Sequence, residues 1–185
     1  MTRNTSVKSY ERLFKTELLK APGVRINYEP VRLPILEDRE LGHAYTPDFV
    51  LPTLYADGKI IVIEPHGAPF VTPVYLDKVA RAKDLYNLYL VLASDVEKVE
   101  IERKFGLRIS DYVDDYWYVP NPKYSKAHSR TDVEAIIHHR IDGLLSVARP
   151  GENYLGYLDT AARFYTALAQ KDKTALEGLL RPAAA

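Results

Sequence analysis

The chain has 185 residues, 46% of them hydrophobic and 27% charged, which is enough for one domain with a full core, or for a domain with a helical extension. Lys+Arg and Asp+Glu both number 25, so no overall basic field marks a non-specific nucleic-acid coat, although a basic face balanced by an acidic site stays open. Cysteine is absent, which excludes disulfides, zinc-thiolate sites and thiol chemistry. No apolar run reaches the length of a membrane span, and the N-terminal stretch lacks the apolar core of a signal peptide, so a soluble, cytoplasmic protein is expected.

Residues 6–19 read as a helix, with Tyr10, Leu13, Phe14 and Leu18 at three- and four-residue spacings and Pro22-Gly23 as the stop. Residues 24–33 alternate roughly with period two and predict a strand, and residues 34–44 read as a polar loop. Residues 45–55 and 59–64 predict two further strands joined by the turn Asp57-Gly58. Pro47 and Pro52 imply that the first of these is short, bulged or at an edge. The run Ile60-Ile61-Val62-Ile63 is apolar on both faces and suits a central strand.

A helix over residues 75–86 and a buried strand over 88–92 follow, and Ala93-Ser94-Asp95 is expected to cap a helix over 96–105. A helix between two buried strands marks a crossover and a mixed α/β layer fold. Residues 108–129 are aromatic and weakly periodic, and the acid-aromatic run 111–118 suits burial against the later helices or a dimer interface. Two helical runs, residues 131–148 and 154–180, flank a break at Arg149-Pro150-Gly151. Residues 1–107 are therefore expected to form the core, with 108–185 as connector and C-terminal helices packed on it.

Asp48 follows Pro47 early in one strand of the predicted hairpin and Glu64 ends the other, so their carboxylates can meet at one end of the sheet. His66 lies two residues beyond Glu64, on the same face if the strand continues through Pro65. Glu11 reaches the same place if the first helix crosses the sheet. Two carboxylates suit a hard divalent cation such as Mg²⁺ or Mn²⁺, which polarises phosphate and acidifies water.

With Glu11 on the first helix, Tyr28-Glu29 on a strand, Tyr-Thr-Pro-Asp-Phe ending in Asp48-Phe49, and Ile-Glu-Pro-His-Gly around Glu64 and His66, residues 6–105 resemble the PD-(D/E)XK, or restriction-endonuclease-like, nucleases. The local wording is similar to the transposon-end-cleaving (TnsA-type) and very-short-patch-repair-type members. The resemblance implies an α/β (α+β) restriction-endonuclease-like core, a central mixed β-sheet flanked by helices, here with a helical C-terminal extension. It further implies a Mg²⁺- or Mn²⁺-dependent endonuclease acting on DNA, duplex or branched. Asp48, Glu64 and the Pro65 carbonyl would be metal ligands, Glu11 an accessory acid, and Glu29 a weaker candidate. The family usually carries lysine where His66 stands, so His66 is open to use as general base, hydrogen-bond donor to water or phosphate, or metal ligand, or else marks a site that has lost catalysis. The alternative is a nuclease-like module that binds DNA or protein without cutting.

Lys78, Arg81 and Lys83 on the helix after the site are candidates for contact with the DNA backbone, against the plainer reading of a solvated face. His138-His139 with Asp142 invites a metal reading, but adjacent histidines on a helix diverge by about 100°, so a surface or core-packing role is favoured. A homodimer would present one site to each strand of a duplex. Glycine-rich dinucleotide and phosphate loops and a nucleophile elbow are all absent from the sequence.

Overall fold

The computed structural model describes residues 5–29, 33–35 and 44–151. In chain order they form helix α1 (Thr5–Lys20), strands β1 (Asn27–Tyr28), β2 (Leu33–Pro34), β3 (Ala44–Tyr45), β4 (Phe49–Ala56) and β5 (Lys59–Pro65), helix α2 (Pro73–Tyr86), strand β6 (Leu88–Ser94), helix α3 (Lys98–Phe105), strand β7 (Asp115–Tyr118), helix α4 (Arg130–Val147) and strand β8 (Arg149–Pro150). Short 3-10 turns occupy Ala68–Phe70 and Ile109–Asp111.

The main sheet runs β1-β4-β5-β6-β7, and β8 pairs with the β1 edge of β4 further along that strand. β4 and β5 are antiparallel, whereas β5–β6 and β6–β7 are parallel and are linked through α2 and α3 respectively. The sheet is therefore mixed and open, as expected for helices laid between adjacent strands.

Alternation along the strands divides the core into two layers. Ile61, Ile63, Val91, Ala93 and Trp117 face Tyr10, Phe14 and Leu18 of α1 and Val133, Ile137 and Ile141 of α4. Val62, Leu88, Leu90 and Leu92 face Leu76, Val79 and Ala82 of α2 and Ile101 of α3. Each fully buried Ile, Leu or Val contributes roughly 1.5–3 kcal/mol, so β5 and β6, buried on both faces, anchor the sheet.

Turn chemistry fixes the central hairpin. Asp57 (φ 50°) and Gly58 (φ 72°) both take positive φ, as the two-residue loop between Ala56 and Lys59 requires. The register jumps between Leu51 and Tyr55, a bulge that contains Pro52 and so leaves the ladder where proline has no N–H to give. Gly151 closes the β8 pairing: a Cβ there would lie 2.2 Å from the Tyr55 ring.

Several expectations need correction. The strand predicted over residues 24–33 reduces to Asn27–Tyr28, because Glu29 turns to φ 43°; residues 30–32 lie outside the described residues. The strand predicted from residue 45 begins at Phe49, since Tyr45 pairs with Leu33 in a separate two-stranded ribbon and Pro47 interrupts the ladder. The helix expected from residue 96 starts at Lys98 after Glu97, and Asp95 does not cap it. Ser94 is committed to β6, the Val96 carbonyl accepts from the Tyr116 hydroxyl, and Asp95 accepts from the Ala68 N–H at 2.6 Å. The weakly periodic 108–129 segment contains β7, whose Trp117 is buried against α1 and α4. The helix predicted over 154–180, and most of the loop over 34–44, lie outside the described residues.

Candidate metal centre

The C-terminal end of β5 meets the start of β4 because the two strands are antiparallel. Asp48 sits one step beyond the Phe49–Ile63 pair and donates its backbone N–H to Glu64 Oε1 at 2.9 Å. Asp48 is held from the other side as well, since its carbonyl accepts the Glu29 N–H at 2.9 Å. β5 extends through Pro65, and the His66 N–H bonds the Ala93 carbonyl of β6 at 2.7 Å, so His66 keeps the strand's direction. Ligand atoms of Asp48, Glu64 and His66 all lie within 4.8 Å of one another. Among the described residues this is the one group of three acidic or histidine side chains that could hold a metal ion.

Glu64 is 2% exposed and thoroughly gripped. Its Oε1 accepts from the Tyr45 hydroxyl at 2.5 Å as well as from Asp48 N–H, and Oε2 accepts from the Tyr75 hydroxyl at 3.0 Å. Tyr75, on the first turn of α2, also stacks on the His66 ring at a centroid distance of 4.1 Å and 12° between planes. Phe70 meets the same ring edge-on at 6.1 Å, on the 3-10 turn that Asp95 ties down. The imidazole is thus fixed by two aromatic neighbours.

Two polar atoms stand out. Asp48 Oδ2 and His66 Nδ1 are buried without a hydrogen-bond partner among the described residues. An unmet buried polar atom costs about 1–3 kcal/mol, so two in one cluster call for a partner. Two of the three candidate ligand side chains carry one. A carboxylate oxygen and an imidazole ring, together with Glu64, match the donor set of a divalent cation.

The electrostatics point the same way. Burial and the proximity of the two carboxylates push Asp48 well above the usual aspartate range, with Glu11 and Glu29 adding to the rise. Burial also raises Glu64, against the opposing pull of its three hydrogen bonds. Burial lowers His66 to about 4, helped by the Lys78 charge and offset in part by the Pro65 carbonyl. The imidazole is therefore neutral at physiological pH and carries one free lone pair. A dense, desolvated pair of carboxyls, both still raised despite the nearby Lys78 charge, favours uptake of positive charge.

The other expected residues fall into two groups. Glu11 on α1 accepts from the Tyr28 hydroxyl at 3.1 Å and lines a notch of about 140 Å³ with Arg12, Lys15 and Phe49, near enough for its charge to act on Asp48. Lys78 lies one turn beyond Tyr75 on α2, and its charge acts on Asp48, Glu64 and His66 alike. Lys83 is elsewhere: with Lys59, at the opposite end of β5 from Glu64, it pairs with Asp114 at 3.7 Å and 3.6 Å. Arg81 is exposed on α2. His138 lies 3.9 Å from Glu17 of α1 and 3.4 Å from Asp142, and both His138 and His139 are exposed on α4.

Sequence reasoning missed Tyr45 and Tyr75, the two phenols that hold Glu64. The only available signal was a tyrosine three residues before Asp48 and another early in the helix that follows Glu64. No protein-family model, curated protein or solved structure matches this chain.

Proposed function

We propose that the chain is a metal-dependent nuclease of the restriction-endonuclease-like type, cutting DNA phosphodiester bonds at the Asp48–Glu64–His66 cluster. The observation that carries this reading is the convergence of those three ligand atoms within 4.8 Å, with Asp48 Oδ2 and His66 Nδ1 buried and unsatisfied among the described residues. The strand order around the site, an antiparallel hairpin followed by a parallel crossover strand, supports the fold assignment.

Asp48 and Glu64 would hold a divalent ion, with the Pro65 carbonyl adjacent on β5. Bound there, such an ion supplies Lewis-acid polarisation of the phosphate and acidification of water. The chain's own residues do the positioning. Tyr45, Tyr75 and the Asp48 N–H fix both oxygens of Glu64, so its carboxylate needs little reorganisation on binding. Lys78 brings a cation to the site from α2 and offsets the absence of lysine at position 66 by stabilising charge on the phosphate. Arg12 and Lys15, beside Glu11, offer phosphate contacts on the α1 side of the notch.

Cleavage of end-labelled duplex and branched oligonucleotides in Mg²⁺ and Mn²⁺ tests the proposal. Products that require the metal and vanish in Asp48→Ala and Glu64→Ala are expected. Retained DNA binding without cleavage by any of these proteins in either metal would instead favour the non-catalytic binding module.

A further inference from the structure

A lysine at position 66 would reach past the ion toward solvent or phosphate as a flexible cation, whereas His66 is short, fixed and aimed by its packing. Its ring lies flat on Tyr75, whose hydroxyl also holds Glu64 Oε2, so a single side chain sets the positions of two neighbours in the cluster. Phe70 closes the ring's edge. Nδ1 is buried and has no partner among the described residues. A hydrogen-bond donor needs an acceptor, and this nitrogen has none among the described residues. The ring does offer a nitrogen with two carboxylate oxygens within 4.8 Å. Ligands about 2.1 Å from a common ion stand about 3–4.2 Å apart, so a small contraction completes the set.

We propose that His66 is a metal ligand through a ring nitrogen, so that Asp48, Glu64 and His66 form a nitrogen-and-oxygen site that selects a first-row transition ion, Mn²⁺ or Co²⁺, over Mg²⁺. Imidazole suits the borderline transition metals, while Mg²⁺ prefers an all-oxygen shell and keeps its waters. The inference rests on the cluster being a metal site, as in the function proposed above, and does not depend on the substrate being DNA.

Pulsed electron paramagnetic resonance of the full chain loaded with one equivalent of Mn²⁺ tests it directly. The expected spectrum carries the modulation of a coordinated ¹⁴N, converted to the ¹⁵N pattern when the protein is made with ¹⁵N-labelled histidine. In parallel, calorimetry of Mn²⁺ and Mg²⁺ on wild type and His66→Gln should give a Mn²⁺ affinity falling at least about tenfold and a Mg²⁺ affinity changing far less. Bound Mn²⁺ without coordinated nitrogen would overturn the proposal, as would equal losses for the two metals, or no Mn²⁺ binding at all. If His66→Gln fails to fold, the isotope comparison on the wild-type chain decides alone. Coordinated nitrogen in a protein that cuts no DNA would uphold this ligand assignment and defeat the nuclease reading. Mg²⁺-supported cleavage with no nitrogen on bound Mn²⁺ would do the reverse.

Discussion

Replacing Asp48 by asparagine should make the metal-free protein more stable. The substitution keeps the side chain's shape and removes one of two buried negative charges whose oxygens lie within 4.8 Å. At that separation and an effective dielectric of about 20, two full charges repel by roughly 3.5 kcal/mol. Proton uptake already relieves part of this, because Asp48 and Glu64 are both raised above their ordinary values. A net gain of about 1–2 kcal/mol near pH 8 is therefore expected, or about 2–8 °C in melting temperature for a chain of this size. The pH dependence follows from the direction of the shift. A carboxyl whose folded pKa is raised contributes stability below the unfolded carboxylate range and loses it as pH climbs toward the folded value. The advantage of Asp48→Asn should thus be near zero at pH 4 and open steadily toward pH 8. Saturating metal reverses the order, since ligand at about 100 times its dissociation constant adds about 2.7 kcal/mol to the wild type alone. Urea denaturation in EDTA provides the assay, and Trp117, the single tryptophan and 2% exposed, reports the unfolding. A variant less stable than wild type at pH 8 in EDTA, or a gap that does not change with pH, would refute the reasoning.

The two α2 lysines should separate cleanly. Lys78→Met is expected to tighten metal binding, by removing a cation that acts on all three site groups, while slowing cleavage by about 10²-fold, measured by calorimetry and single-turnover kinetics. Lys83→Met should leave both unchanged and cost less than about 1 kcal/mol in a urea melt, since Lys83 shares Asp114 with Lys59 away from the site. Tyr75→Phe keeps the ring stacked on His66 and deletes the donor to Glu64 Oε2, so a loss of about 1 kcal/mol in the same melt, with weakened metal binding, is expected.

Much of the core was legible because its elements announce themselves locally. The α1 stripe of Tyr10, Phe14 and Leu18, the Asp57-Gly58 turn and the two-faced apolar run of β5 each carry a complete signal within a few residues. That was enough to bring Asp48 and Glu64 to one end of a hairpin. What escaped depends on partners distant in the chain. β7 is four residues long and is a strand because Val91 to Ser94 offers it an edge. Asp95 resembles a helix cap in sequence but is bound by Ala68, 27 residues away. Tyr45 and Tyr75 look like ordinary amphipathic core residues until the fold points both hydroxyls at Glu64. Lys78 and Lys83 share a helix and a charge, and only the packing of α2 puts one at the site and the other beside Asp114. His66 was the residue whose role the sequence left open, and the stacking of its ring is what narrows it.

Nicking of supercoiled plasmid by wild type and Asp48→Asn side by side, in Mn²⁺ and in EDTA, tests whether the Asp48–Glu64–His66 cluster cuts DNA. Open-circular and linear DNA are expected from the wild type in Mn²⁺ only, and none from an Asp48→Asn protein that is at least as stably folded. Wild-type protein inert in both Mn²⁺ and Mg²⁺ across pH 6–9, or an Asp48→Asn variant that cuts as fast as wild type, would contradict cleavage by this cluster.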